Sequence, residues 1–158
     1  MSVVLKSIIL ILFFSVVLLA KQSVPAAERP ELYLPLLKGK RVALVVNHSS
    51  LVKGRHLVDF LLKNSIKVRK IFAPEHGFRG KADAGAHIKS SRDTRTNLPI
   101  VSLYGKHKKP TRQDLTGIDL IVFDIQDVGV RFYTYLSTLH YVMEAGAEYH
   151  IPVVVLDR

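Results

Sequence analysis

Asp119-Leu120-Ile121-Val122-Phe123-Asp124 sets four large apolar residues in an unbroken row between two carboxylates. A strand with one wet face alternates apolar and polar side chains, whereas a strand covered on both faces is apolar throughout. The row therefore predicts a buried strand of a parallel sheet. Upstream, Arg41-Val42-Ala43-Leu44-Val45-Val46 has the same character and follows Gly39. Residues 67–72 form a further strand that stops at Pro74, and residues 98–103 one that begins near Pro99 and ends near Gly105. Residues 152–156 form the last. Between them, residues 56–63 place Leu57, Phe60, Leu61 and Leu62 at helical spacing, with Asn64 able to end the helix. Residues 135–149 put Leu136, Leu139, Val142, Met143 and Ala147 on one helical face, the side expected to be buried. The fold class expected is α/β: a doubly wound parallel sheet of about five strands with helices on both faces.

The composition fits one such domain. Of 158 residues, 48% are apolar and 23% charged, with nine Gly and seven Pro, which excludes collagen-like and disordered chains. There is no cysteine, so a disulfide framework, a thiolate zinc site, a thiol nucleophile and a lipid-bearing lipobox are all excluded. The formal charge of +10 suits an anionic partner.

Residues 1–26 read as a separate object. A basic start at Lys6 precedes thirteen uncharged residues from Ser7 to Leu19, and small residues follow around Ala26. That is the pattern of a secretory signal peptide, with cleavage expected after Ala26. As a helix, thirteen residues rise only about 20 Å, short of the ~30 Å hydrocarbon core, which argues against the alternative of an uncleaved anchor. Residues 27–38 then form a lead-in, and residues 39–158 the folded domain. Losing Lys6 and Lys21 takes the charge from +10 to +8. Export leaves the protein periplasmic or extracellular, removes nucleic acid as a partner and favours an anionic extracytoplasmic polymer. Membrane contact is expected only through an uncleaved leader.

Each strand ends in polar residues, and in a parallel sheet those ends share the edge where open α/β folds bind ligands. The first strand leads into Asn47-His48-Ser49-Ser50, the second into Pro74-Glu75-His76-Gly77-Phe78-Arg79-Gly80 and the third into Tyr104-Gly105. The fourth leads into Asp124-Ile125-Gln126-Asp127-Val128-Gly129-Val130-Arg131-Phe132-Tyr133, and the fifth into Asp157-Arg158. Residues 75–97 lack a helical or strand period, and a loop of that length in a compact domain is usually functional. No Gly-x-Gly-x-x-Gly follows the first strand, and there is neither a phosphate-binding Gly-x4-Gly-Lys loop nor a Gly-x-Ser-x-Gly elbow. No cofactor is implied. A metal held by His48, His76, Asp124 and Asp127 has no histidine pair at helical i, i+4 spacing behind it and ranks below a carboxylate site. Glu75, beside His76 and Arg79 and between Pro74 and two turn-forming glycines, is the candidate general acid of a glycoside-cleaving site. Its alternative is a structural carboxylate paired with Arg79.

Pro74 to Gly80, Ser102-Leu103-Tyr104-Gly105, the block from Phe123 to Thr138 and Val155-Leu156-Asp157-Arg158 together resemble the YbbC/NamZ family, glycoside hydrolase family 171. Its characterised members are exo-β-N-acetylmuramidases. The resemblance implies a Rossmann-like N-terminal domain followed by a smaller domain, with the active cleft between them. Family members continue past the Leu-Asp-Arg segment, so the chain corresponds to the N-terminal portion. The resemblance implies release of terminal N-acetylmuramic acid from peptidoglycan fragments, with muramic acid saccharides as partners. Catalysis is then expected from Glu75 as general acid and from Asp124 or Asp127. Substrate binding is expected from Asn47, His48, His76, Arg79, Gln126, Arg131 and Tyr133, with Arg79 or Arg131 on the lactyl carboxylate. Two rival readings are a non-catalytic module that binds cell-wall sugars and a metal-dependent hydrolase.

Overall fold

A computed structural model describes residues 24–75, 77–78, 91–130 and 132–157. The elements are α1 (Pro30–Leu37), β1 (Arg41–Val46), β2 (Leu51–Val52), β3 (Arg55–His56), α2 (Leu57–Lys63) and β4 (Lys67–Ala73). They continue as β5 (Ser91–Arg92), β6 (Pro99–Ser102), β7 (Leu120–Asp124), α3 (Tyr135–Glu148) and β8 (Val153–Val155). One six-stranded sheet has the order β5-β6-β4-β1-β7-β8. Every pairing from β6 through β8 is parallel, and only the two-residue edge strand β5 runs antiparallel. The five long strands expected from the sequence are thus the five parallel ones. β5 falls in the stretch that showed no period, because two residues cannot display one.

Burial on both faces explains the unbroken apolar runs. In β1, Val42, Leu44 and Val46 join Leu57, Val58 and Leu61 of α2 and Tyr33 and Leu37 of α1 on one side. Ala43 and Val45 join Ile121 and Phe123 of β7 and Val142 and Ala145 of α3 on the other. Truncating a fully buried Leu such as Leu44 or Leu61 to Ala would cost about 2–5 kcal/mol. Between β6 and β7 a short turn stands where a doubly wound fold commonly has a helix. Thr111 and Asp114 cap each other there, at 2.9 Å from Thr111 N to Asp114 Oδ2 and 3.2 Å from Asp114 N to Thr111 Oγ1. Leu115 and Ile118 close the turn onto the sheet.

Two local features depart from the sequence reading. Lys53 and Gly54, both with positive φ (47° and 78°), form the two-residue turn of a small β2–β3 hairpin. The expected helix start at His56 is therefore a strand end, and His56 caps α2 through Nδ1, which accepts from Val58 N at 3.3 Å. The second departure is the buried face of α3. Tyr135, Thr138, Val142, Ala145 and Gly146 are buried, while Leu136 (69% exposed) and Met143 (53%) of the expected stripe face outward. The cause is close packing at the C-terminal end. A Cβ on Gly146 would lie 2.8 Å from Ile151 O and from Val153 Cγ2, so only this small-residue face lets β8 return against the helix.

Candidate active site

The strand order reverses at one place: from β1 the chain crosses to β4 and β6 on one side, then to β7 and β8 on the other. The crevice outside the carboxyl ends of β1 and β7 is where such sheets take ligands. Residues following β1, β4, β6, β7 and β8 share that edge, which places Asn47, Glu75, Tyr104, Asp124 and Asp157 together.

Glu75 follows β4 directly after Pro74. Gly77 N donates to Pro74 O at 3.1 Å, and Gly77 adopts φ +77°, a conformation that a side chain would strain. Phe78 anchors the next step of the loop by packing edge-on against His56, with ring centroids 4.6 Å apart. The Tyr104 hydroxyl lies on the same cavity wall as the Glu75 carboxylate and interacts with it. That interaction, reinforced by the negative charge of Glu75, raises the Tyr104 pKa above its ordinary value of 10.0. Both residues line a cavity of about 500 Å³ whose walls include Lys108, Thr134, Ser137 and Tyr141. Thr134, Ser137, Thr138 and Tyr141 follow i, i+3, i+4, i+7 spacing, so the first two turns of α3 offer the cavity a row of hydroxyls. One carboxylate, one ammonium and a hydroxyl-rich wall suit a polyhydroxylated ligand bearing a negative charge.

Asn47 follows β1 at the same edge of the sheet. It is only 1% exposed. Its Oδ1 accepts from Ser49 N at 2.9 Å and Ser49 Oγ at 2.7 Å. That leaves its amide N–H to meet the Tyr135 hydroxyl. Burial raises the Tyr135 pKa, the Asn47 bond opposes the shift, and the nearby Tyr133 and Glu75 add to it. His56 Nε2 lies 3.0 Å from Asn47 O; with Nδ1 accepting from Val58, Nε2 is the donor. Ser50 joins the ends of β1 and β7, accepting from Asn47 N at 3.1 Å and donating to Asp124 O.

The remaining sequence candidates lie at different distances from this centre. Asp124 is fully buried at the end of β7. Asp127 is exposed, and its Oδ2 accepts from Gly129 N at 3.2 Å in a turn that fixes the loop. Gln126 and Tyr133 are exposed on the same loop. His48 is exposed beside a separate hollow of about 440 Å³, with Arg55, Asp59 and Arg95. His76, Arg79 and Arg131 lie outside the described residues. Sequence reasoning did not single out Tyr104, Lys108 or the α3 hydroxyls as site residues. The helical spacing of those hydroxyls is the available signal, and it shares its helix with an apolar stripe that has the same period.

A larger hollow of about 780 Å³ opens at the opposite edge of the sheet, among Lys40, Arg112, Asp119, Glu148 and His150. Its acids are already engaged: Asp119 is paired with Arg41 at 2.7 Å, and Glu148 with Lys109 at 2.5 Å. The smaller cavity is the stronger candidate, because it lies at the carboxyl ends of the strands and contains Glu75.

Residues 42–158 match the family described as Exo-beta-N-acetylmuramidase NamZ, N-terminal. The chain is 49% identical over 128 residues to Peptidoglycan beta-N-acetylmuramidase NamZ of Bacillus subtilis strain 168, covering 80% of this chain and 31% of that protein. Two crystal structures of DUF1343 family proteins from Bacteroides fragilis NCTC 9343 are also similar. One has a TM-score of 0.75 at 40% identity, covering 87% of this chain and 35% of that one. The other has a TM-score of 0.76 at 38% identity, covering 85% and 34%. The chain thus spans about a third of the length of each relative. A match over more than half of its residues places this chain in the NamZ family, over the family's N-terminal region.

Proposed function

We propose that this chain is the Glu75-bearing part of an exported peptidoglycan hydrolase, an exo-β-N-acetylmuramidase that frees terminal N-acetylmuramic acid. The observation that carries the reading is the Glu75–Tyr104 pair in a hydroxyl-lined cavity at the sheet's carboxyl edge. The similarity to a peptidoglycan β-N-acetylmuramidase supports it. In this reading Glu75 protonates the leaving glycosidic oxygen. Exposed Asp127 is the acid accessible to water and the anomeric carbon, while Asp124 is fully buried at the end of β7. Lys108 supplies positive charge inside the cavity for the lactyl carboxylate that distinguishes muramic acid. The basic composition and the leader-like residues 1–26 support work on an anionic wall polymer outside the cytoplasm.

The test is product analysis with the protein as expressed from its gene, acting on defined glycan fragments that end in N-acetylmuramic acid. Release of that single sugar from the non-reducing end is expected. Internal cleavage, or binding of the fragments without any cleavage, would contradict the proposal.

A further inference from the structure

We propose that Phe132 and Tyr133, backed by the buried ring of Tyr135, form an aromatic ladder whose two exposed rings hold the leaving-group side of the glycan, the pyranose rings beyond the scissile bond. The inference rests on the glycosidase reading above and adds a binding site to it. Phe132 is 80% exposed, the most exposed large apolar side chain among the described residues. Its ring lies 5.5 Å from that of Tyr133 at a 40° tilt, and Tyr133 lies 5.5 Å from Tyr135 at 63°. The series runs outward from the site. Tyr135 is buried, hydrogen-bonded to Asn47 and within electrostatic reach of Glu75, and Tyr133 is partly open. Thr134, between the two tyrosines in sequence, lines the Glu75 cavity itself.

Scattered exposed apolar residues need no explanation, but a contiguous row beside a candidate site does. Val128 and Val130 on the same loop are exposed as well. A pyranose ring carries an apolar C–H face bordered by hydroxyls, and it matches a flat aromatic flanked by polar side chains. Exo cleavage places the released sugar in the cavity, so the rest of the glycan must leave across the rim. Thr134 ties this segment to the cavity wall, and Phe132 ends the row in solvent. That adjacency to the Glu75 cavity favours a glycan that runs out of the cavity as the occupant of the exposed rings.

The experiment compares wild type, Phe132→Ala and Phe132→Trp, in the protein as expressed from its gene, on two substrates. One is a glycan oligosaccharide ending in N-acetylmuramic acid; the other is an aryl muramic acid glycoside with no sugar in its leaving group. In Phe132→Ala the ratio of kcat/KM for oligosaccharide over aryl glycoside should fall about tenfold, through KM, the size of one lost ring stack. Phe132→Trp should restore the ratio. Because the sequence has no Trp, that variant also carries a single fluorophore, whose emission should change with the oligosaccharide and not with free N-acetylmuramic acid. An unchanged ratio in Phe132→Ala overturns the proposal. So does an equal loss on both substrates with a lower melting temperature, the result expected if polypeptide covers the patch. A wild-type protein that cleaves neither substrate overturns the glycosidase reading, and this inference with it, before any variant is compared.

Discussion

Tyr104, carried to the rim by β6, and Glu75, carried there by β4, line one cavity, and the Glu75 carboxylate raises the Tyr104 pKa. The two strands are parallel neighbours, with Ala73 opposite Ser102, so each residue of the pair stands two positions beyond a register-fixed partner. A hydroxyl at that place is suited to orient the carboxylate at the cavity wall, and positioning of this kind affects rate more than ground-state binding.

Tyr104→Phe should therefore lower kcat about tenfold, with KM and melting temperature little changed. Steady-state kinetics beside a thermal melt would check this. A loss confined to KM would make Tyr104 a substrate contact, and a lowered melting temperature would make it a structural tie.

At the opposite edge, Asp119 accepts from Arg41 N at 2.7 Å and Nε at 3.0 Å, while Arg41 Nη2 reaches its other oxygen at 2.7 Å. These bonds hold the Asp119 pKa well below its ordinary 3.8. A carboxylate with a depressed folded-state pKa stabilises the fold above its unfolded value and loses that contribution as pH falls through the folded one. Wild type should thus lose stability on acidification below about pH 4, and Asp119→Asn should lose less over the same interval while being less stable at pH 7. Denaturation midpoints at several pH values would check this, and parallel curves would contradict it.

Gly146→Ala should destabilise the domain by about 1–3 kcal/mol, despite the better helix propensity of Ala, because the added Cβ meets backbone at 2.8 Å. Denaturant unfolding measures the difference. A gain in stability would show that β8 can retreat from α3.

The proposed cleavage after Ala26 predicts a mature chain beginning near Ala27, which N-terminal sequencing of the protein recovered from outside the cytoplasm reads directly. Intact Met1 in the membrane fraction would contradict it. The cut has a structural consequence. Ala26 N donates to Asp157 O at 2.9 Å, and Arg29 Nη2 donates to Val24 O at 2.9 Å. Glu28 N and Arg29 N also donate to Pro25 O and Ala26 O, at 2.9 and 3.0 Å, so a chain begun at Ala27 lacks four bonds and should be about 2–4 kcal/mol less stable than one begun at Val24.

The sheet was legible in the sequence because burial on both faces writes itself as unbroken apolar runs, as in Leu120 to Phe123 and Val42 to Val46. The shared rim followed from parallel topology alone. What stayed hidden depended on packing distance or on very short elements. The face of α3 is chosen by a clearance at Gly146 that hydrophobicity does not encode, so Leu136 and Met143 were assigned to the wrong side. Each strand of the β2–β3 hairpin has two residues and shows no period. At the site, Glu75 stood out through its flanking Pro74 and Gly77. Tyr104 did not, because a tyrosine after a strand signals nothing until the neighbouring strand brings a carboxylate beside it.

The central claim is that Glu75 donates the proton to the leaving oxygen, and the Glu75→Gln variant tests it on two substrates. The change is nearly isosteric, so the fold should persist while the donor is lost. General acid catalysis is typically worth ~10²–10⁴-fold, and hydrolysis of an unactivated muramic acid glycoside should fall by about that factor. An aryl glycoside with a good leaving group needs less protonation and should fall much less. Equal losses on both substrates, accompanied by a lower melting temperature, would instead make Glu75 a structural carboxylate and contradict the account.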